Sequence, residues 1–213
     1  MTIDKDDLIN SIIESLGRIQ HIKSTDIPNI DLYMDQVTTF MESKLKNASR
    51  NPDEDKVLTK TMINNYAKNN LLPPPVKKKY SKEHVLMLIF IYYYKSILSI
   101  NDIQTLLGPI SERYFHSGDG LNLSDIYEEI FSLEKDQVES MKKDILEKFE
   151  ISRETFKEAP KEDQEFLQLF SFIGLLSFDV YVKKLLIEKM VDTFGNAASA
   201  GEEKSKGKEK KDK

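Results

Sequence analysis

The chain contains no cysteine and only three histidines. Without cysteine it has no disulfide and no thiolate metal site, and a reducing cytosol is the expected home, so a cytoplasmic protein is expected. His21, His84 and His116 lie far apart with no ligand spacing between them, which gives no reason to place a metal or a catalytic pair there. His84, third in its predicted helix, reads as a capping or surface residue. Glycine-rich phosphate loops, G-x-S-x-G elbows and H-E-x-x-H pairs are also missing. Asp53, Glu54 and Asp55 are adjacent but lack the alternating spacing of a calcium loop, and they read as solvated charge. The acidic N-terminus, with Asp4, Asp6 and Asp7, has no apolar core of the kind a secretory signal needs. The uncharged run from Phe166 to Phe178 falls short of the roughly twenty residues that cross a bilayer, so no membrane association is expected. These absences point away from an enzyme: no catalytic residue, no cofactor and no metal are expected.

A hydrophobic content of 39% is enough for a sizeable core in one domain or two small ones. The net charge of −5 argues against a protein that coats nucleic acid or anionic membrane with its whole surface. The charge is unevenly spread, however. Val57 to Lys82 holds Lys60, Lys68, Lys77, Lys78, Lys79 and Lys82 and no acid, so taking these six charges out of −5 leaves −11 for the remainder. The chain is an acidic body with one basic patch.

Inside that patch the residue order predicts a two-faced helix. Thr59 can N-cap it, and Pro73 stops it just past Leu72. Ile63, Tyr66, Ala67 and Asn70 fall at i, i+3, i+4 and i+7 and form the predicted inward stripe. Thr61, Asn64, Asn65 and Lys68 repeat that spacing on the other side. Asn bonds adenine bidentately in a major groove, Thr bonds a base or a phosphate, and Lys neutralises phosphate.

Beyond this helix come a rigid Pro73-Pro74-Pro75 turn, a lysine triplet, and Tyr80-Ser81 opening a very apolar helix. Ser99-Ile100-Asn101-Asp102 then forms a capping-box-like start to another helix, ending at Leu106-Leu107. The succession T-x-x-x-x-Y-x-x-x-x-LLPP, YS-x-x-x-V, L-x-x-I, S-I-x-x-I-x-x-LL resembles the winged-helix DNA-binding module of MerR-type transcription regulators. Through the block TKTMINNYAKNNLLPPPVKKKYSKEH, the passage from about Asp26 to Ile110 resembles still more closely an uncharacterised bacterial family, the domain of unknown function 1836. Departures from the MerR pattern are Asn64 in place of an Arg and Asn65 in place of an aromatic. The turn before the recognition helix, Asn47 to Leu58, is also longer than the three or four residues of an ordinary helix-turn-helix. Pro75 to Lys79 looks too short for a full hairpin, so the wing is expected as a reduced basic loop.

The rest of the chain reads as helix. Leu8, Ile9, Ile12, Ile13, Leu16 and Ile19 predict an amphipathic first helix whose polar face is acidic. Asp31 to Lys46 predicts a second helix, with Leu32, Val37, Phe40, Met41 and Leu45 available for the core. Val85 to Tyr94 is apolar on every side and reads as a central buried rod. A loop is expected over Ser111 to Asn122. Helices are then predicted from Leu123 to Ile151, with Ile126, Ile130, Val138, Met141, Ile145, Leu146 and Phe149 as candidate core, and from Lys161 to Phe194. Residues 196–213 lack the apolar content to order themselves.

The expected protein is all-α: an N-terminal amphipathic helix (1–25), a MerR-like winged helix-turn-helix (26–110), a helical C-terminal dimerisation or effector domain (111–195) and a disordered tail (196–213). The resemblance implies a sequence-specific transcriptional regulator that binds double-stranded DNA through Lys60, Thr61, Asn64, Asn65 and Lys68, with Lys77, Lys78 and Lys79 on phosphate. A homodimer joined through the C-terminal helices, most simply over Phe166 to Phe194, is expected. If 123–160 folds back over that stretch instead, a monomer with a pocket for a small apolar effector results. The other functional class is a protein-interaction module on a winged-helix scaffold without DNA binding.

Overall fold

Why the run from Val85 to Ile91 becomes helix and not strand is visible at its start. In a computed structural model, which describes residues 5–16, 21–46, 51, 56–118 and 120–209, Ser81 and His84 close a capping box ahead of it. The helix then buries every residue from His84 to Ile91. The described residues form a short 3₁₀ helix (Ser24–Asp26) and eight α-helices: α1 (Lys5–Leu16), α2 (Met34–Leu45), α3 (Lys60–Lys68), α4 (Lys82–Tyr94), α5 (Ile100–Tyr114), α6 (Leu123–Ser132), α7 (Glu134–Arg153) and α8 (Lys161–Glu209). Two strands of two residues each, β1 (Leu32–Tyr33) and β2 (Lys79–Tyr80), complete the mainly helical fold.

The chain divides into two compact units. The larger comprises Ile22–Glu128 together with the chain from Leu185 onward. Its core comprises α4 together with Val37, Met41, Ile63, Leu72, Ile103, Leu123 and Tyr127, which are also fully or almost fully buried. Truncating one such side chain to Ala would cost about 2–5 kcal/mol. β1 pairs antiparallel with β2, Leu32 opposite Tyr80 and Tyr33 opposite Lys79. Phe40, expected in the core, is only half-buried on α2.

α5 corrects the expectation of a helix ending at Leu107. It runs on through Gly108-Pro109 to Tyr114. An interior proline forfeits a backbone bond and costs about 3 kcal/mol. The cost is offset by a strong start, where Ser99 Oγ accepts from Asp102 N at 3.2 Å and Asp102 accepts from Ser99 N at 3.1 Å. Buried Ile103 and Leu107 anchor the turns before the proline. The division between units also falls later than the expected loop, between Glu128 and Glu129. Leu123 and Tyr127 are buried, and the Tyr127 hydroxyl donates to the Ile22 carbonyl at 2.5 Å.

The smaller unit joins the chain up to His21 with Glu129–Lys184. Its core is Ile9, Phe149 and Phe172, with Ile13, Ile145, Leu169 and Leu176 packed around them. Lys148 bridges Asp144 on its own helix and Asp179 on α8, the latter at 2.8 Å. Ile130, Met141 and Leu146, expected as core, are exposed. Leu146 lies off the buried stripe of α7, whereas Ile130 and Met141 lie on the line of the packed residues of their helices but about one turn beyond them. Ile19 and Asp53 to Asp55 lie outside the described residues. The backbone of α8 is helical as far as Glu209, across the Ala-, Glu- and Lys-rich stretch whose composition reads as an unordered tail. No helix among the described residues is long and apolar enough to cross a membrane.

Candidate functional site

The larger unit holds α3 by both ends. At the start, the Thr59 side chain accepts from the Met62 amide at 3.2 Å and satisfies a donor that the first turn leaves free. Just before it, the buried Val57 is clamped twice: its amide donates to Glu42 Oε2 at 3.2 Å and its carbonyl accepts from Lys95 Nζ at 2.9 Å. Burial lowers the pKa of Lys95, whose ammonium also stands 4.8 Å from the Tyr92 ring centroid. At the far end Asn70 adopts a left-handed conformation (φ 55°), and the amides of Leu71 and Leu72 turn back to the Tyr66 carbonyl at 2.9 and 3.3 Å. Asn70 therefore does not belong to the inward stripe. It is exposed, because the helix ends at Lys68 and the buried pair Leu71-Leu72 closes it.

Ile63 and Tyr66 are buried and Ala67 is half-buried, which fixes the rotation of α3 about its axis. Lys60, Thr61, Asn64, Asn65 and Lys68 are all exposed. At 100° per residue they span an arc of about 140° opposite the buried pair. Lys60 is ion-paired with Asp35 of α2, so one of its charges is partly balanced within the unit. A cleft of about 880 Å³ opens at the start of α3, lined among others by Thr38, Ser43, Lys46, Lys56, Lys60 and Thr61.

The lysine triplet overturns the expectation of a basic loop. Val76 and Lys79 exchange both backbone bonds, at 3.1 and 2.9 Å, and Lys77 and Lys78 form the two-residue turn between them. Both turn residues have positive φ, 50° and 63°. That is the geometry of a type I′ hairpin loop, which needs only four residues and matches the natural twist of its strands. Lysine is not a residue that announces such a turn, which is why the sequence reads as loop. Lys77 and Lys78 stand exposed at the tip. Lys79 is half-buried in β2, with its ammonium 5.3 Å from the ring centroid of the exposed Tyr33. Tyr33 thus belongs beside the hairpin, and no local pattern signals it because the pairing partner lies far along the chain.

The hairpin is seated on His84. The Ser81 amide donates to His84 Nδ1 at 2.9 Å, while Tyr80 and Phe115 meet the imidazole edge-on at 5.4 and 4.8 Å between centroids. His84 caps its helix as expected, but it is fully buried and not at the surface. Its Nε2 faces the Pro73 and Pro74 carbonyls without reaching hydrogen-bond geometry with any partner. Burial pushes its pKa down, so the ring is neutral at neutral pH. Glu83 approaches His116 Nδ1 at 3.8 Å on the outer side.

Residues 22–130 match the family described as Domain of unknown function (DUF1836). The chain belongs to the DUF1836 family. The match covers α2 to α5, the hairpin and most of α6, and it ends two residues past the boundary of the larger unit at Glu128. Every residue of the α3 face and of the lysine turn therefore lies inside the DUF1836 region. No curated protein and no solved structure matches the chain.

Proposed function

We propose that the DUF1836 unit of this chain binds duplex DNA sequence-selectively as a transcriptional regulator, in a MerR-like winged-helix manner. The observation that carries the reading is the outer face of α3: amides, a hydroxyl and lysines, all exposed, on a helix whose rotation is fixed by buried Ile63 and Tyr66. It lies in a stretch, Val57 to Lys82, with six lysines and no acid. Asn64 and Asn65 are the residues for base edges. Lys60, Thr61 and Lys68 suit phosphate, as do the hydroxyls and lysines of the cleft at the helix start. The exposed tip of the hairpin, Lys77 and Lys78, supplies the wing, with Lys79 at its base.

Mobility shifts on genomic fragments, including the region upstream of the protein's own gene, test the reading. Asn64→Ala or Asn65→Ala is expected to cost about 1–3 kcal/mol on the preferred site and to relax base choice there. Equal weakening on specific and random DNA would refute the assignment of α3. One observation favours a second reading, a protein-interaction surface: Asp35 pairs with Lys60 and brings a carboxylate to the start of the same face. A complex with a protein partner whose affinity is insensitive to salt would support it. DNA binding through several lysines falls by orders of magnitude between about 50 and 200 mM salt.

A further inference from the structure

The outer face of α3 presents amides and a hydroxyl where a reader of guanine presents cations. A side-chain amide holds a donor group and an acceptor side by side. In the major groove adenine offers the matching pair, an N6 donor beside the N7 acceptor, whereas guanine offers two acceptors, N7 and O6, which suit a guanidinium or an ammonium. Neither α3 nor the hairpin contains an arginine. The two lysines of the face are poorly placed to replace one. Lys60 is ion-paired with Asp35, in the first turn of α2, and Lys68 stands in the last turn of α3. A recognition helix contacts base edges with its N-terminal residues, which leaves Lys68 on the phosphate side.

Thr61, Asn64 and Asn65 occupy the first two turns, and all three are exposed. Among the described residues no hydrogen bond engages their side chains. Asn69, one turn further on, differs: its amide turns back onto the Asn65 carbonyl at 2.9 Å and has left the face. Seen down the helix axis at about 100° per residue, Thr61 lies between Asn64 and Asn65, which diverge by about 100°. The two amides therefore cannot serve one base. At about 1.5 Å per residue, Thr61 to Asn65 covers about 6 Å of axis, a little under two base-pair steps of about 3.4 Å. On the DNA-binding reading of this face, on which the assignment rests, we propose that α3 selects a core of about two to three consecutive A·T pairs in the major groove. Asn64 and Asn65 each take one adenine through N6 and N7, and the Thr61 methyl packs on a thymine methyl. Lys60 and Lys68, at the two ends, hold the flanking phosphates and add no base preference.

Selection from randomised duplexes by the full chain is expected to enrich such an A·T core. On the selected duplex, 7-deazaadenine at a core adenine removes the N7 acceptor and leaves base pairing intact. It is expected to lower affinity about 5- to 150-fold, the range for one bidentate contact. That loss should vanish at one adenine in Asn64→Ala and at the other in Asn65→Ala, which assigns each amide to its base. Both side chains are exposed, so the variants keep the fold. Inosine·cytosine pairs in place of the core keep the minor groove of A·T but show the two acceptors of guanine in the major groove, and they should abolish the preference. An enriched G·C core, or an affinity that neither 7-deazaadenine nor inosine changes, would overturn the A·T assignment while DNA binding stands. A selection that enriches no sequence would instead overturn the DNA-binding reading, and the assignment with it.

Discussion

Lys77 and Lys78 occupy a conformation that lysine avoids, and replacing them should raise stability and lower the proposed affinity for DNA. An L-residue in the left-handed region costs roughly 1–2 kcal/mol, whereas Asn and Gly enter it readily. Lys77→Asn/Lys78→Gly keeps the type I′ turn with the pair best suited to it. After allowing about 0.5–1 kcal/mol for the extra freedom of glycine in the unfolded chain, a net gain of about 1–2 kcal/mol is expected. For a domain of this size that raises the melting midpoint by about 5–10 °C. The same change removes two cations from the exposed tip. If they lie on phosphates, the slope of log affinity against log salt should become shallower by about 2, and the weakening should be the same on all sequences. Thermal melts and salt-titrated mobility shifts measure the two effects. Lys77→Ala/Lys78→Ala is the control: it removes the charges and keeps the strained backbone, so it should lose affinity without gaining stability. If the Asn-Gly variant melts no higher, the argument from backbone strain is wrong. If it melts higher with an unchanged salt slope, the hairpin tip does not contact DNA.

The neutral, buried His84 makes stability depend on pH. Its folded pKa lies below the ordinary 6.5, so the unfolded chain takes up its proton first, and stability falls as pH drops from about 6.5 towards the lowered folded value. His84→Gln keeps an acceptor for the Ser81 amide. It should flatten that part of the profile in melts between neutral and mildly acidic pH, and an unaltered slope would show that other groups are responsible. Glu83, whose pKa is lowered, with hydrogen bonds and the nearby His116 outweighing its desolvation, contributes in a separate window below its ordinary 4.5. Tyr127→Phe would leave the Ile22 carbonyl without its donor in a buried site. A loss of about 1–3 kcal/mol is expected in denaturant unfolding, and a change of a few tenths would mean that water replaces the hydroxyl.

The parts of the fold written in local chemistry were legible in the sequence. Thr59, Ser81 and Ser99 cap helices where their side-chain oxygens said they would, and the apolar run after Ser81 is the buried rod. Ile63 and Tyr66 face inward, so the outer face of α3 can be read from spacing alone. What failed was decided elsewhere in the chain. The hairpin closes because β2 has a partner in Leu32–Tyr33, and that pairing holds lysines where a local rule asks for Asn-Gly. Pro109 reads as a stop and is carried through because the turns before it are already anchored. Leu146 reads as core by composition but lies off the stripe that buries Phe149 and Ser152 on α7, and Met141 lies a turn before the packed part of that stripe.

The clamp on Val57 has a mechanical consequence. Leu45 is buried at the end of α2, and Val57 is tied to both α2 and α4 through Glu42 and Lys95. The stretch between them is therefore connected in parallel with the joint that sets α3, and not in series with it. A tether in series passes each added residue on as a displacement, whereas one in parallel absorbs it as slack. Doubling the length of a flexible connection costs only about 0.6 kcal/mol in closure entropy. Insertions after Lys46 should therefore be tolerated without moving the outer face of α3, and this segment is where a reporter or an affinity tag can be placed inside the unit.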